Sequence, residues 1–345
     1  MTSSKHLLIK SIYQEDINRT PIWIMRQAGR YLPEYIKTKN QAGGFMSLIR
    51  NPELACEVTM QPLKRYSLDS AILFSDILVV ADIFNMQLRF EEKVGPVFDN
   101  PIRTESDYNK LPTEFDISNL SYVNQTIENI KSELNDTLPL IGFIGSPWTV
   151  ATYLIEGNST KQFSYVKDML DTNPALLEKI LKMITTVSID YVNEQVDSGV
   201  DALMIFDTWG GLLSKDNYAK YSLNYIREII SNIKSNKIPI IYYSRSKSNF
   251  EELKEIDINC IGISSENDLG QIYKFFDKKI AVQGNFDCEI LKEDNSVIKS
   301  EVIKTLNSFP FDSGHVFNLG SGITPDINPN KVSYLIEQVQ ELSSK

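Results

Sequence analysis

Histidine is nearly missing from this chain: His6 and His315 are the only two among 345 residues. No cysteine sits beside either at ligand spacing, so a zinc centre is not expected and no metal is assigned. Cysteine is scarce as well. Cys56, Cys260 and Cys288 are odd in number and far apart, with no CxxC and no disulfide ladder, which points to a reducing compartment. Positive charge is in deficit: 35 Lys and Arg against 45 Asp and Glu leave a net charge of −10. That balance argues against non-specific nucleic-acid binding and against attraction to anionic lipid. No segment approaches the about 18 uninterrupted apolar residues of a membrane span. The start, MTSSKHLLIKSIYQED, meets a charged residue before any apolar run of signal-peptide length. The expected home is the cytoplasm. Gly/Ser-rich linkers, low-complexity tracts and solenoid-type repeats are also missing.

What is present is ordinary for a soluble globular protein, 42% hydrophobic and 23% charged residues. Short β-branched and aromatic runs recur, each followed by a stretch with helical periodicity. The strand candidates are TPIWIM from Thr20, SAILFSD from Ser70, PLIGFIG from Pro139 and ALMIFDT from Ala202. IPIIYYS from Ile238, CIGIS from Cys260, KIAVQGN from Lys279 and HVFNLG from His315 complete the series. Most are nearly continuous apolar runs, as expected for a parallel sheet covered on both faces. Asn51-Pro52 and Asn328-Pro329 each read as an N-cap followed by proline at the first helical position. Between Asn173 and Val196, apolar residues fall at three- and four-residue spacing over several turns. Eight βα repeats that close on themselves make an α/β TIM barrel, (β/α)8; an open doubly wound sheet is the other solution, since the pattern does not show closure. The longest connection, roughly 83 to 138, holds a polar turn-rich part and then a short helical pattern. It reads as an excursion within one domain.

In a barrel, active sites collect at the C-terminal strand ends. The residues beyond the expected strands are therefore the candidate walls of one site: Arg26, Gln27 and Arg30 after the first, Asp76 after the second. Pro147, Trp148 and Tyr153 follow the third, Asp207 and Thr208 the fourth, and Ser321 lies between two glycines after the eighth. Two guanidinium groups, a carboxylate and hydroxyls suit a ligand with several carboxylates, because arginine offers a planar fork that binds carboxylate bidentately. Each has a plainer reading. Arginines four apart can mark a solvated helix face; Asp76 can be an N-cap; Tyr153 and Thr208 can be structural hydrogen-bonders. Gly320-Ser321-Gly322 lacks the third glycine of a dinucleotide fingerprint and follows the last strand, so a Rossmann site is rejected.

PIWIMRQAGRYLPEY from Pro21 closely resembles the N-terminal signature of the uroporphyrinogen decarboxylase family. ILFSDIL at Ile72, GSPWTVATYLIEG at Gly145, FDTWGG at Phe206, QGNFD at Gln283 and GHVFNLGSGITPD at Gly314 follow in the family's order. The resemblance implies one TIM-barrel domain over residues 1–345, usually a homodimer, acting in haem and related tetrapyrrole synthesis. The implied reaction removes carbon dioxide from the four acetate side chains of uroporphyrinogen III to give coproporphyrinogen III, without a cofactor. It further implies that Arg26, Gln27, Ala28, Gly29 and Arg30 hold substrate, and that Asp76, Arg26 and Arg30 are the catalytic residues. Asp76 would face the pyrrole N–H groups, and Tyr153 and Thr208 would hydrogen-bond a carboxylate. The short Ala28-Gly29 pair would leave room for the macrocycle, and Pro33 disfavours helical geometry at Leu32, so this segment is expected to turn. The sequence departs from the family at three places. Ser321 stands where histidine is usual, Ser264-Ser265 where Asp-Trp is usual, and Cys288 where proline is usual. Two alternatives follow: a non-catalytic tetrapyrrole-binding protein, motivated by Ser321, and a methyltransferase of the same superfamily, for which the expected His-x-Cys zinc motif is missing.

Overall fold

A computed structural model describes residues 5–91, 94–160, 162–235, 237–245 and 250–345. Among them the strands are β1 (Ala71–Ile72), β2 (Leu88–Glu91), β3 (Gly95–Phe98), β4 (Leu140–Gly145), β5 (Ala202–Asp207), β6 (Ile240–Ser244), β7 (Cys260–Gly262), β8 (Ala281–Phe286) and β9 (His315–Leu319). Seven form one sheet in the order β1-β4-β5-β6-β7-β8-β9, and every ladder in it is parallel. These seven coincide with the expected apolar runs from Ser70 onward. Helices return the chain from each strand top, and their caps follow local chemistry. Asn51 accepts from the Leu54 amide at the start of Pro52–Arg65, Asn173 from Leu176 at Pro174–Asp197, and Asn328 from Asn330 at Pro329–Ser343.

The eighth run, Thr20–Met25, departs from expectation: it forms a single parallel bridge, Ile22 to Phe317, and no ladder. Three local facts explain this. Pro21 has no N–H to donate, the Ile22 amide is taken by the Asp69 carboxylate at 2.8 Å, and the chain turns at Arg26, which holds a left-handed φ of 66°. The segment nevertheless closes the sheet. On one side Phe317 N donates to Pro21 O at 2.8 Å and Trp23 N to Phe317 O at 3.4 Å; on the other, Asp69 N donates to Ile22 O at 2.9 Å. Inside, the buried Trp23 indole donates to Gln283 of β8 at 2.9 Å. The architecture is thus a single-domain TIM barrel whose first stave is held by a few backbone bonds to each neighbour, supplemented by the side chains of Asp69 and Gln283.

The long excursion contains the helix Ser121–Leu134, as the periodicity predicts, and an antiparallel hairpin, β2 with β3, in place of the expected turn-rich stretch. Glu92 and Lys93, within that turn-rich part, lie outside the described residues. The hairpin docks on the end of the helix after β4: Phe98 N donates to Gly157 O at 2.8 Å, and Val97 bridges Asn158.

The clamp under the first stave is a bidentate ion pair. Arg19 donates to both Asp69 oxygens at 2.7 and 2.6 Å, with side-chain exposures of only 23% and 9%. Asp69→Asn leaves one oxygen for the Ile22 amide but strips Arg19 of its counter-charge. A loss of about 2 kcal/mol is expected, within the range for hydrogen bonds to charged groups. Urea unfolding monitored by tryptophan fluorescence measures it; an unchanged midpoint would show that the clamp contributes nothing.

Candidate active site

The turn that carries the arginines is not a helix face. Residues 25–32 form turns and bends, and the next helix begins at Pro33, with Leu32 extended at its N-cap (φ −90°, ψ 123°). This is the geometry proline imposes on the residue before it. Gln27 is fully buried, and its amide is used in holding the turn: Oε1 accepts from Ile24 N at 3.2 Å, and Nε2 donates to Ser70 O at 3.1 Å. Gly29 lies where a methyl group would come 2.9 Å from the Arg26 carbonyl oxygen. Its smallness is therefore needed by the chain's own backbone, while Ala28 remains half-buried beside it.

Arg26 is placed at the barrel mouth. Its side chain lies over Gly322 in the loop after β9, so closely that a methyl group on Gly322 would sit 2.5 Å from Arg26 Cδ. Its charge acts on Asp76, Tyr153 and Tyr243. Asp76, four residues beyond β1, is pushed up from the usual 3.8 to about 6. Burial is the largest cause, opposed by the Leu78 amide, which donates to Oδ1 at 2.8 Å, and by the Arg26 charge. A part of Asp76 remains accessible at the surface even though protein surrounds it densely. Tyr153, on the helix Pro147–Glu156, is raised mainly by burial; the Asp76 charge raises it further, and Arg26 lowers it. Arg26, Asp76 and Tyr153 thus form one electrostatic cluster.

Thr208 is half-buried just past β5. Arg30 is exposed, and its charge acts on Tyr35. The structure therefore groups Arg26, Asp76 and Tyr153 electrostatically, whereas the charge of Arg30 acts on Tyr35. Ser321 places its hydroxyl 3.6 Å from Cys288 Sγ, so two of the three departures from the family's usual residues are in contact. His315 lies away from this chemistry. It is buried in β9 with Nε2 2.9 Å from Gly284 O, and burial lowers it to about 4. Among the described residues, no group of three His, Cys, Asp or Glu side chains is placed to hold a metal ion.

Two features of the site are not among those expected from the sequence. The first is an aromatic floor. Phe143, Phe206 and Tyr243, from three adjacent strands, meet edge-on with ring centroids 5.6 and 5.8 Å apart, and Tyr243 donates to Gly320 O at 3.0 Å. Alternation within β5 and β6 could have revealed it, because Phe206 and Tyr243 are register partners pointing inward. Their outward neighbours serve a different purpose. Buried Asp207 accepts from Ser146 at 2.5 Å and from Tyr242 at 2.6 Å, with Ser222 at 3.3 Å, which fixes the strand tops to the surrounding helices. The second feature is a wall of Tyr153, Phe163 and Trp209, with centroid separations of 4.6 to 6.4 Å. The buried Trp209 indole N–H has no hydrogen-bond partner of good geometry, although the Tyr153 hydroxyl lies near it.

Fold and cluster define a class: a TIM-barrel protein whose mouth combines guanidinium and carboxylate charge with an aromatic floor and wall. The uroporphyrinogen decarboxylase family matches residues 3–342, and the chain belongs to that family. It is 43% identical over 342 residues to the uroporphyrinogen decarboxylase of Hydrogenovibrio crunogenus, covering 98% of this chain and 97% of the relative. It is 44% identical over 342 residues to that of Ruthia magnifica, covering 98% and 99%. Among solved structures it resembles a methyltransferase from Methanosarcina mazei, with a TM-score of 0.79, 17% identity and 97% of each chain covered, a likeness of fold alone.

The raised Asp76 carboxyl has a consequence for stability. A carboxylate with a folded-state pKa above its unfolded value makes the protein lose stability as pH rises through the interval between them, here about 4 to 6. Above that interval the full cost of the buried charge is present. Asp76→Asn, which keeps an acceptor for the Leu78 amide, should unfold at a higher denaturant concentration than wild type at about pH 7 and at the same concentration near pH 4. If the substitution destabilises at neutral pH, Asp76 is a structural group.

Proposed function

We propose that the chain, across residues 1–345, is one uroporphyrinogen decarboxylase domain. It converts uroporphyrinogen III to coproporphyrinogen III by removing four acetate carboxyl groups in tetrapyrrole synthesis. The observation that carries this reading is the Arg26–Asp76–Tyr153 cluster at the mouth of a barrel that belongs to the family. The substrate carries eight carboxylates, and an acidic protein needs local positive charge to hold it. Arg26 supplies that charge inside the cleft, and Arg30 extends it along the rim. Gln27 and Gly29 act on the ligand through the shape of the turn. Thr208 and Tyr153 hydrogen-bond a reacting or neighbouring carboxylate. The aromatic floor gives the macrocycle an apolar face.

The pyrrole itself is the electron sink, so no organic cofactor or metal takes part. A proton adds to the ring α-carbon and makes the ring cationic. The bond between the acetate methylene and its carboxylate then breaks, the electron pair neutralises the ring, and carbon dioxide leaves. A proton added at the exocyclic carbon completes the methyl group while the first proton departs, for a net uptake of one. Asp76, ionised against the pyrrole N–H groups, stabilises the cationic ring, as an oxyanion hole stabilises the opposite charge. Because Asp76 already sits beside Arg26, the developing cation meets an organised field that needs little rearrangement. The domain acts in the cytoplasm as a homodimer, with no nucleic-acid or membrane partner; no helix is long and apolar enough to cross a membrane among the described residues.

An anaerobic assay with uroporphyrinogen, a metal chelator and no added cofactor tests the proposal, with products separated by carboxylate number. Wild type should yield species with seven, six, five and then four carboxylates. Asp76→Asn should lose a factor of about 10² to 10³ in turnover with far less change in binding. Activity that depends on added zinc or pyridoxal phosphate would overturn the cofactor-free mechanism. Tight binding with no turnover would make the chain a tetrapyrrole-binding protein.

A further inference from the structure

We propose that Arg245, one residue beyond β6, is a third guanidinium of the cleft and binds a substrate carboxylate on the side opposite Arg26. The inference rests on the decarboxylase reading for its ligand and on the geometry of β5 and β6 for its residue. In β6, Tyr243 turns inward to the aromatic floor, Ser244 is buried, and alternation returns Arg245 to the side of Tyr243. The parallel ladder pairs Phe206 with Tyr243 and Asp207 with Ser244, so Thr208 and Arg245 are the first residues past the last paired positions of two adjacent strands.

The charge of Arg245 reaches the same two hydroxyl groups as that of Arg26: both lower Tyr153 and Tyr243. Tyr153 stands on the helix after β4 and Tyr243 on β6, while Arg26 arrives from the first stave. The two guanidinium groups therefore approach one tyrosine pair from different elements of the barrel. Arg245 is exposed, so a ligand carboxylate can reach it without displacing protein. A substrate with carboxylates around a flat ring needs cations at more than one point of the cleft wall, and Arg26 with Arg30 covers only the first loop. Arg245 supplies charge beside Thr208, which the proposed function already assigns to a carboxylate.

Binding is measured directly, so the test does not depend on turnover. The aromatic eight-carboxylate porphyrin is titrated against full-length wild type, Arg245→Gln, Arg245→Lys and, as a control, Lys179→Gln. Lys179 is paired with Glu105 on the outer helices. Arg245→Gln should weaken binding about tenfold at low ionic strength and flatten its salt dependence. Arg245→Lys should recover part of the loss, because lysine keeps the charge without the fork. The control should match wild type, and all four proteins should share one thermal midpoint. Equal affinity of Arg245→Gln and wild type at low salt would overturn the assignment while leaving the decarboxylase reading intact. If wild type binds the porphyrin but does not turn over uroporphyrinogen, the decarboxylase reading fails and the comparison still decides Arg245. If wild type does not bind the porphyrin, both are overturned.

Discussion

The first stave is the constraint on which the site depends. It lies between β9 and β1, yet it cannot form ordinary ladders, because Pro21 lacks a donor and the chain must turn at Arg26. Its place is set instead by Asp69, which accepts from the Ile22 amide while gripping Arg19 bidentately. Gln27 then ties the turn to the backbone of Ser70. With these contacts in place, Arg26 emerges in a left-handed conformation over Gly322 and beside Asp76. The closing bonds of the barrel and the position of Arg26 are therefore one structural problem, solved by the same few residues.

A division of labour follows from strand alternation. At the top of β5, Phe206 turns inward to the aromatic floor, and Asp207 turns outward into a buried network with Ser146, Ser222 and Tyr242. At the top of β6, Tyr243 and Tyr242 divide in the same way. The outward set consumes its polar groups in mutual hydrogen bonds, which rigidify the strand ends. The inward set packs ring on ring, with Phe143 and Tyr243 buried and Phe206 half-buried. Asp76 carries the cost of this arrangement: a carboxylate held in a desolvated cleft opposes folding at neutral pH, a pattern common where charge is kept for function.

Much of this was legible in the sequence, for stated reasons. Continuous apolar runs locate the seven paired strands, and Asn-Pro pairs locate helix starts, because both signals arise from local backbone chemistry. The hairpin β2–β3 was missed because Gly95-Pro96 and its polar flanks read as turn. Arg26, Asp76 and Tyr153 stand out in the sequence by their places after strands, and in the fold their charges act on one another. Arg30 was named with them, but a turn separates it from the cluster, and no spacing rule for helices anticipates that. Gln27 was expected to face a ligand and is buried beneath the turn. Arg245 was overlooked because its importance depends on which face of β6 it leaves from, and that is fixed only when the register with β5 is known.

Under the proposed function, Asp76 faces the macrocycle from below while arginine charge holds its carboxylates. A crystal structure with the tetrapyrrole bound tests this most directly. Pyrrole nitrogens are expected within about 3 Å of the Asp76 carboxylate, with the ring plane over Phe206 and Tyr243 and at least one carboxylate on Arg26. A macrocycle bound away from the strand tops, or one whose nitrogens face no carboxylate, would contradict it.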